Sequence, residues 1–336
     1  MKFVIIGCGS MGKRRARCLR QLGFDQISAV DPREDRRDEI AEQWQAVAYA
    51  TFDEAVAAGG DFALVCVPPH LHHPYLLACV DAGLPAFCEG PLTMTLDQAD
   101  HVIEAAEAAG VFIAPSCTYL HNPIHKTVKE LLDQGELGRP LAALSHVGGH
   151  VAGWHPYEDY RGFYASKRSE GGMNFDMLPH EFHLLTYLFG DVRALSCMAR
   201  RRSPEIEADP AACDVYDVLL DMEAGVSVSL HEDMFQRPCG NDRKVMCERG
   251  AIEWNWQSLR VCRCPDAQPA LASVAWQNIP LGDYDIEDMY PVEIEHALRS
   301  LDGRSAYLMP PRKDRRILEL VLACEESSRL GRQLTW

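Results

Sequence analysis

Residues 1–31 read MKFVIIGCGSMGKRRARCLRQLGFDQISAVD, and this stretch decides the fold. The apolar run at 2–6 predicts a buried strand, and the glycine-rich segment 7–12 follows it at once. Residues 13–22 have a helical pattern, and a second strand at 27–30 leads directly into Asp31. Strand, glycine turn, helix, strand and acidic residue, in this order and spacing, are typical of a dinucleotide-binding unit.

Each glycine of the turn has a physical task. Gly7 permits the tight turn out of the strand, Gly9 lets the backbone approach a pyrophosphate, and Gly12 allows close packing of helix on sheet. The carboxylate of Asp31 suits the ribose hydroxyls and repels a 2′-phosphate, which favours NAD over NADP, although Arg33 softens that preference. The sequence predicts an NAD site formed by Gly7, Gly9, Ser10, Met11, Gly12 and Asp31.

Composition limits the classes of partner. The chain has 336 residues and a net charge of −16, which argues against binding to nucleic acid or to an anionic membrane surface. No apolar run approaches the length of a membrane span, and we expect no signal peptide. Thirteen cysteines are scattered without a disulfide framework or zinc-site spacing. We therefore expect a cytoplasmic protein with free thiols and no structural metal.

The pattern of strands and helices divides the chain in two. Repeated strand–helix units predict an α/β domain at 1–120, with a doubly wound parallel Rossmann sheet. Ligands of such sheets bind outside the carboxyl ends of the strands, so Asp31, Pro68, Glu89 and Ser116 are expected to border one crevice. Strands joined by short turns predict an α+β domain with an open, mostly antiparallel sheet at 121–336.

A polar and aromatic segment after the first strand of that second domain is predicted to bind the substrate. It carries Trp154, His155, Tyr160, Arg161 and Lys167, hydrogen-bonding side chains with few apolar neighbours to bury them. Such loops bind ligands more often than they fill cores. The alternative is a surface loop or an oligomer contact.

The following helix, predicted over 178–189, carries the candidate catalytic group. Its first turn holds His180, whose imidazolium form the helix dipole disfavours, and Asp176 lies just before it. An Asp–His pair of this kind is a suitable general base for a hydroxyl group. The alternatives are that His180 and His183 are structural histidines at a domain boundary, or that they bind a metal with Asp176. We expect no metal, because the sequence offers no further ligand.

These motifs together resemble the glucose-fructose oxidoreductase / inositol dehydrogenase / MocA family, nearly end to end. The resemblance includes the glycine turn, Val67-Pro68-Pro69 with His73 downstream, Cys88-Glu89-Gly90-Pro91-Leu92, the tryptophan loop and the segment 171–181. It implies a Rossmann domain followed by a domain whose open sheet makes homo-oligomer contacts. It also implies NAD(P)-linked oxidation or reduction of a sugar, inositol or nucleotide-sugar carbon. Cofactor contacts are then expected from Val67, Pro68, His73, Glu89 and Pro91, and substrate contacts from Trp154, His155, Tyr160, Arg161, Lys167 and His183.

Two positions depart from the family pattern. Gly90 stands where the family has a lysine between nicotinamide and substrate, and His183 stands where an aspartate is usual. Loss of the lysine removes a charge that stabilises the developing alkoxide. Three explanations remain open. The chain is a dehydrogenase in which Lys167 or Arg161 replaces the cation, or it binds NAD without net redox as a sugar-sensing regulator or glycoside-cleaving enzyme, or Gly90 is a disabling substitution.

Overall fold

The computed structural model describes residues 1–156, 159–264 and 274–336. The chain forms two compact units, the first made of Met1–Thr118 with Glu287–Glu319 and the second of Tyr119–Ile286 with Leu320–Trp336. Within the described ranges, no helix has the length and apolar character needed to cross a membrane. All thirteen cysteines lie within the described ranges, and none of them is in a disulfide bond.

The first unit is built on a six-stranded parallel sheet, which confirms the predicted fold class. Its strand order is β3-β2-β1-β4-β5-β6, with β1 (Phe3–Ile6), β2 (Ile27–Val30), β3 (Val47–Tyr49), β4 (Phe62–Val65), β5 (Ala86–Cys88) and β6 (Ile113–Pro115). All four residues of β1 are buried, as expected for a central strand covered on both faces. The helices between the strands are α1 (Ser10–Gln21), α2 (Glu34–Trp44), α3 (Phe52–Ala57), α4 (His72–Asp81) and α5 (Leu96–Ala109).

Local sequence explains where these helices begin and end. Thr51 and Glu54 form a capping box at the start of α3, each side chain accepting a backbone N–H of the other residue. The Thr95 hydroxyl accepts the Gln98 N–H at the start of α5, and Gly110, with φ of +65°, ends that helix in the left-handed region. The helix boundaries therefore follow from cap residues that the sequence displays.

The second unit is built on a nine-stranded sheet of order β14-β13-β12-β11-β7-β10-β9-β8-β15. Neighbouring strands are antiparallel except β7 and β10, which are parallel. The mostly antiparallel sheet expected from the sequence is thus confirmed. Its strands are β7 (Pro140–Gly148), β8 (Val192–Arg200), β9 (Val215–Met222), β10 (Ser227–Asp233), β11 (Gly240–Cys247), β12 (Gly250–Trp254), β13 (Leu259–Arg263), β14 (Trp276–Asn278) and β15 (Leu334–Thr335).

Among the described residues, three α-helices lie wholly within the second unit. They are α6 (Pro123–Asp133), α7 (Met173–Asp176) and α8 (Leu178–Phe189), and short 3-10 helices at Val151–Gly153, Tyr160–Gly162, Tyr164–Ser166 and Arg168–Glu170 precede α7. Glu181 of α8 ties the helix to the sheet, because it accepts the Ser145 hydroxyl of β7 at 2.6 Å and pairs with Arg243 of β11. Ser145 and Arg243 are register partners in β7 and β11, so this anchor fixes the start of α8 to that pair.

The closing helices correct the expected domain boundary. The sequence pattern predicts one second domain over 121–336, but α9 (Met289–Leu301) belongs to the first unit, and the boundary lies within α10 (Pro311–Leu330). Ile294 and Ala297 of α9 are buried in the core that contains Phe3. Helical periodicity shows that α9 has an apolar face, but it does not show which core that face joins.

Candidate active site

The glycine turn has the geometry that its spacing predicts. Gly7 has φ of +94°, and a Cβ atom there would lie 2.9 Å from Cys66 O and 2.9 Å from the Val67 side chain. A Cβ atom on Gly12 would lie 1.9 Å from Gly7 O, so α1 approaches the turn more closely than any side chain allows. Only glycine fits at both positions.

The start of α1 is open to an anion. Gly9 is the N-cap residue, and among the described residues no side chain caps this helix. Gly9, Ser10 and Met11 are partly exposed, and the Arg36 guanidinium lies 3.4 Å from the point that a Cβ on Gly9 would occupy. Backbone N–H groups, a helix dipole and a nearby cation all suit a pyrophosphate, so the turn fits NAD.

Asp31 ends β2 beside the turn. Its side chain is buried, with one oxygen accepting the Cys8 N–H at 2.8 Å and the other accepting the Arg33 N–H at 2.9 Å. Arg36 Nη1 lies 3.9 Å from the same carboxylate. A fixed negative charge at this point suits ribose hydroxyls and disfavours a 2′-phosphate.

The ends of β4 and β5 are joined by a histidine that sequence reasoning missed. His72 is buried, and its two ring nitrogens lie 2.8 Å from Val67 O and 2.8 Å from Pro91 O. The residue singled out from the sequence, His73, instead contacts His101 through ring nitrogens 3.3 Å apart. His72 thus holds together two segments predicted to contact the cofactor, and contact of NAD with His73 stays a prediction.

Glu89, another predicted cofactor contact, is part of a buried ion cluster. Arg15 of α1 donates to both Glu89 oxygens, at 2.6 and 3.0 Å, and to Glu293 of α9 at 2.8 Å. Glu293 also accepts the Ser116 hydroxyl at 3.0 Å. The sequence signal for this cluster was an arginine on the inward face of α1. Charged residues usually lie on the surface, so the sequence alone did not indicate that Arg15 is buried.

Gly90 has room for a side chain. A Cβ atom there would have one neighbour within 4 Å, Ser116 O at 3.6 Å, which is ordinary van der Waals contact. Gly90 and Pro68, which follow β5 and β4, are both partly exposed. Neither steric exclusion nor a left-handed backbone therefore requires glycine at the position where the family resemblance implies lysine.

The second unit contains a polar cavity of about 370 Å³. Three of the residues predicted from the sequence, Trp154, Asp176 and His180, line this cavity together. The strand ends of β7, β10 and β11 and the start of α8 supply most of the remaining lining. The structure therefore brings the proposed base, its acid and the tryptophan loop to one place.

Other predicted substrate residues lie outside the described lining of the cavity. Arg161 is exposed and pairs with Asp159 and Glu207 at 3.1 and 2.9 Å, and Lys167 pairs with Glu170 at 2.9 Å. The Tyr160 hydroxyl accepts the Glu207 N–H. The His155 ring packs edge-on against Phe163, and His183 is buried in α8. Their contact with substrate stays a prediction.

His180 and Asp176 have distinct surroundings. The His180 ring stacks on Tyr119, with centroids 4.8 Å apart and planes inclined by 21°. Asp176 accepts a hydrogen bond from the Tyr164 hydroxyl. Burial raises the pKa of the Asp176 carboxyl, and the Tyr164 hydrogen bond and the His180 charge oppose that rise.

Aromatic rings and an ion pair that the sequence did not reveal support the cavity from below. The Arg243 guanidinium is 5.7 Å from the Tyr119 ring centroid and 5.3 Å from that of Trp256, and both rings line the cavity. Arg243 is buried and pairs with Glu181, so its charge is neutralised locally. The Arg243–Glu181 ion pair and the Trp256 ring form a fixed support for Tyr119, which in turn holds the His180 ring.

Glu232 is the functional candidate that sequence reasoning missed most clearly. It is fully buried at the end of β10, it lines the cavity, and neither carboxyl oxygen has a hydrogen-bond partner among the described residues. Burial raises the pKa of the Glu232 carboxyl well above its usual range, and the charge of Glu181 adds to this, whereas Arg243 opposes it. The available signal was an acidic residue in phase with the inward-facing Val228 and Leu230.

Comparison with known families agrees with this geometry. Residues 1–116 match the family described as an oxidoreductase family with an NAD-binding Rossmann fold, named GFO_IDH_MocA. Residues 125–253 match the GFO/IDH/MocA C-terminal domain. The chain belongs to the Gfo/Idh/MocA oxidoreductase family. It is therefore an NAD-dependent oxidoreductase, and its first unit is the cofactor-binding domain.

Individual members of the Gfo/Idh/MocA family are similar along most of the chain. Myo-inositol dehydrogenase Hyg17 of Streptomyces leeuwenhoekii is 28% identical over 264 residues, covering 75% of this chain and 76% of its own. Inositol 2-dehydrogenase 4 of Saccharopolyspora erythraea is 30% identical over 254 residues, covering 74% and 70%. The fold matches levoglucosan dehydrogenase in complex with NADH and levoglucosan, with a TM-score of 0.86 at 15% identity over 100% of this chain and 98% of that one.

Proposed function

We propose that this protein is an NAD-dependent dehydrogenase of a secondary alcohol in a sugar or cyclic polyol. The observation that carries the proposal is the placement of His180 and Asp176 in one polar cavity, in a chain that also has a complete dinucleotide-binding turn. The similar inositol 2-dehydrogenases support a polyol or sugar as substrate.

In this proposal the side chains of the cavity handle the proton. His180 Nε2 or Nδ1 accepts the hydroxyl proton of the substrate, and stacking on Tyr119 fixes the ring orientation during the transfer. Asp176, held by the Tyr164 hydroxyl, stabilises the protonated imidazole. The glycine turn and Asp31 hold NAD, which supplies the hydride acceptor when bound.

A second candidate function is NAD binding without net redox turnover. It is favoured by Gly90, which supplies no cation, together with Arg161 and Lys167, whose charges are already paired with carboxylates. A sugar-sensing regulator or a glycoside-cleaving enzyme that uses NAD transiently would need the cofactor turn and the polar cavity but no released NADH.

Absorbance at 340 nm separates the two functions. The purified protein is incubated with NAD and a panel containing myo-inositol, levoglucosan, neutral hexoses and nucleotide sugars, and NAD binding is measured in parallel by calorimetry. NADH production that depends on one compound supports the dehydrogenase. Tight NAD binding with no NADH from any compound favours the non-redox function.

We also propose that the protein is a cytoplasmic homo-oligomer that assembles through its open sheet. The outer face of that sheet exposes Leu144 of β7, Met198 of β8 and Leu219 of β9, which alternate with the buried residues of the same strands. Exposed apolar side chains grouped on one face of a sheet are typical of an association surface. Sedimentation of the native chain and of Leu219→Lys tests this assembly.

A further inference from the structure

The cavity of the second unit contains more carboxyl groups than the proposed proton transfer uses. Asp242 and Glu232 line it in addition to Asp176, and none of its described lining residues is lysine or arginine. Arg243 lies against the Tyr119 and Trp256 rings that line the cavity, and it is paired with Glu181. A ligand in this cavity therefore meets acids and rings without an opposing positive side chain.

Among these three carboxyl groups, Glu232 is the one whose protonation state needs explanation. Its side chain points to the buried face of β10, opposite Val147 of β7 and Tyr216 of β9. It is fully buried, and no described residue donates a hydrogen bond to either oxygen. A buried carboxylate without hydrogen bonds is strongly unfavourable, so the side chain is stable there as a neutral acid or with a bound ligand.

The surrounding charges favour the neutral acid. Glu181, Asp176 and Cys197 act on Glu232 in the direction that opposes ionisation, and Arg243 acts against them. The Arg243 charge is shared with Glu181, which it contacts directly. Glu181 and Asp176 act on Glu232 as further acids, and Arg243 is already paired with Glu181. Glu232 therefore has no counter-ion of its own among the described residues.

We propose that Glu232 is a substrate-binding residue, a neutral carboxylic acid that exchanges hydrogen bonds with a hydroxyl group of an uncharged polyol. This inference rests on the proposed function of the cavity. A neutral carboxyl group presents one donor and one acceptor side by side, and a hydroxyl group needs both. The bound hydroxyl then satisfies the two oxygens that the fold leaves without a protein partner.

The same arrangement determines which substrates are rejected. A carboxylated or phosphorylated sugar would bring its charge next to Asp176 and Asp242, with no lysine or arginine in the described lining to balance it. Desolvating an anion without a partner is unfavourable, and like charges add to that effect. Neutral polyols and hexoses are therefore the substrate class, and uronates are excluded.

Two substitutions test the role of Glu232, with myo-inositol as the probe. Glu232→Gln keeps the size, one donor and one acceptor, and the KM for myo-inositol should stay within about threefold. Glu232→Met keeps the length but removes both, and the KM should rise by about tenfold. Asp221→Asn, at an exposed carboxyl of the adjacent strand β9, is the matched control and should change nothing.

Thermal unfolding separates this role from a structural one. Without ligand, Glu232→Met should unfold at the same temperature as the native chain or higher, because it removes a buried polar group that has no protein partner. A marked drop in unfolding temperature for both variants would mean that Glu232 supports the fold, and the proposal would be overturned.

The second test compares D-glucose with D-glucuronate, which differ at C6 only. We expect NADH production or binding with glucose and at least about a hundredfold weaker response with glucuronate. A preference for glucuronate, or an unchanged myo-inositol KM in Glu232→Met, would overturn the proposal.

The failure of the proposed function has a different signature. If the native chain produces no NADH with any probe, calorimetric titration of the NADH-loaded protein with myo-inositol and D-glucose decides the role of Glu232. Binding to the native chain that is lost in Glu232→Met supports the inference without redox turnover. Equal binding by both proteins, or binding of neither compound by the native chain, overturns it.

Discussion

The Tyr119 ring lies over the His180 imidazole, with ring centroids 4.8 Å apart and planes inclined by 21°. Tyr119 also contacts the edge of Trp256 and lies above the Arg243 guanidinium. The proposed base is therefore held by a ring that a buried ion pair supports from below. An imidazole held in this way keeps one orientation toward the cavity, which a proton acceptor requires.

Replacement of His180 tests its role as the base. His180→Gln removes the proton acceptor, and the turnover number should fall by about 10²- to 10⁴-fold, while NAD affinity stays unchanged because the first unit holds the cofactor. Initial rates at 340 nm and calorimetry with NAD measure the two quantities. His146→Gln, at an exposed site on β7, is the control. Native turnover in His180→Gln would rule out this histidine as the base.

Introduction of lysine at Gly90 tests whether the missing cation limits the reaction. The position has space for a Cβ atom, 3.6 Å from Ser116 O, so the side chain should be accommodated. We expect Gly90→Lys to raise the turnover number by about tenfold or more, because an ammonium group stabilises a developing alkoxide. Gly90→Met has similar length without charge and should give no gain. Equal loss in both variants would show that the site depends on the glycine itself.

Charge at Asp31 should set the choice of cofactor. Asp31→Asn keeps an oxygen that can accept the Cys8 N–H but removes the negative charge beside Arg33 and Arg36. We expect the ratio of KM for NADP to KM for NAD to fall by about tenfold, as repulsion of a 2′-phosphate is relieved. Asp81→Asn, at an exposed carboxyl at the end of α4, is the control. An unchanged ratio would show that Asp31 does not discriminate.

The ion cluster around Arg15 should be important for stability. Glu293→Gln leaves the buried guanidinium with Glu89 as its remaining carboxylate partner, and the free energy of unfolding should fall by about 3 kcal/mol. Glu295→Gln, at an exposed position of the same helix, should change it by less than about 0.5 kcal/mol. Urea denaturation measures both. Similar values for the two variants would contradict the importance of the cluster.

His231 should make stability depend on pH. Its ring bridges Asp233 and Asp217, and these hydrogen bonds, chiefly that to Asp233, raise its pKa from 6.5 to about 9 against the effect of burial. The charged ring stabilises the fold fully below pH 6.5, and this contribution is lost as pH rises through about 9. The stability difference between the native chain and His231→Gln should therefore shrink from pH 6 to about pH 9.5, as followed by urea denaturation.

Ser229→Ala provides the control for this pH series. Ser229 lies on the same face of β10, two residues before His231, and does not titrate in this range. Its effect on the free energy of unfolding should be the same at each pH. A constant difference for His231→Gln as well would show that folding does not shift the pKa of the ring.

Local patterns were sufficient where neighbouring residues decide the structure. The spacing of Gly7, Gly9 and Gly12 predicted the turn because Gly7 and Gly12 are required by contacts within a few residues or at the end of the adjacent strand. The position of Asp31 followed from the same unit. His180 and Asp176 line the same cavity, as helix position and short spacing lead one to expect, and their catalytic roles stay a prediction.

Contacts between distant segments were beyond the reach of the sequence. Arg15 and Glu293 are 278 positions apart, and Arg243 and Glu181 are 62 apart, so no local period relates either pair. Glu232 became a candidate only once the cavity brought its strand end next to α8. The parallel pairing of β7 with β10 was also not predicted, because the two strands are far apart in the sequence. The local pattern indicated only antiparallel hairpins between consecutive strands.

The membership of α9 in the first unit has a consequence for biosynthesis. Ile294 and Ala297 complete a core begun by Phe3, and Glu293 supplies the second partner of Arg15. A nascent chain that has emerged only to residue 120 holds every strand of the Rossmann sheet but leaves this core and this guanidinium uncovered. The core of the cofactor domain is therefore complete only after residues 287–319 are translated, and the second unit is complete only after Leu320–Trp336, which contains β15.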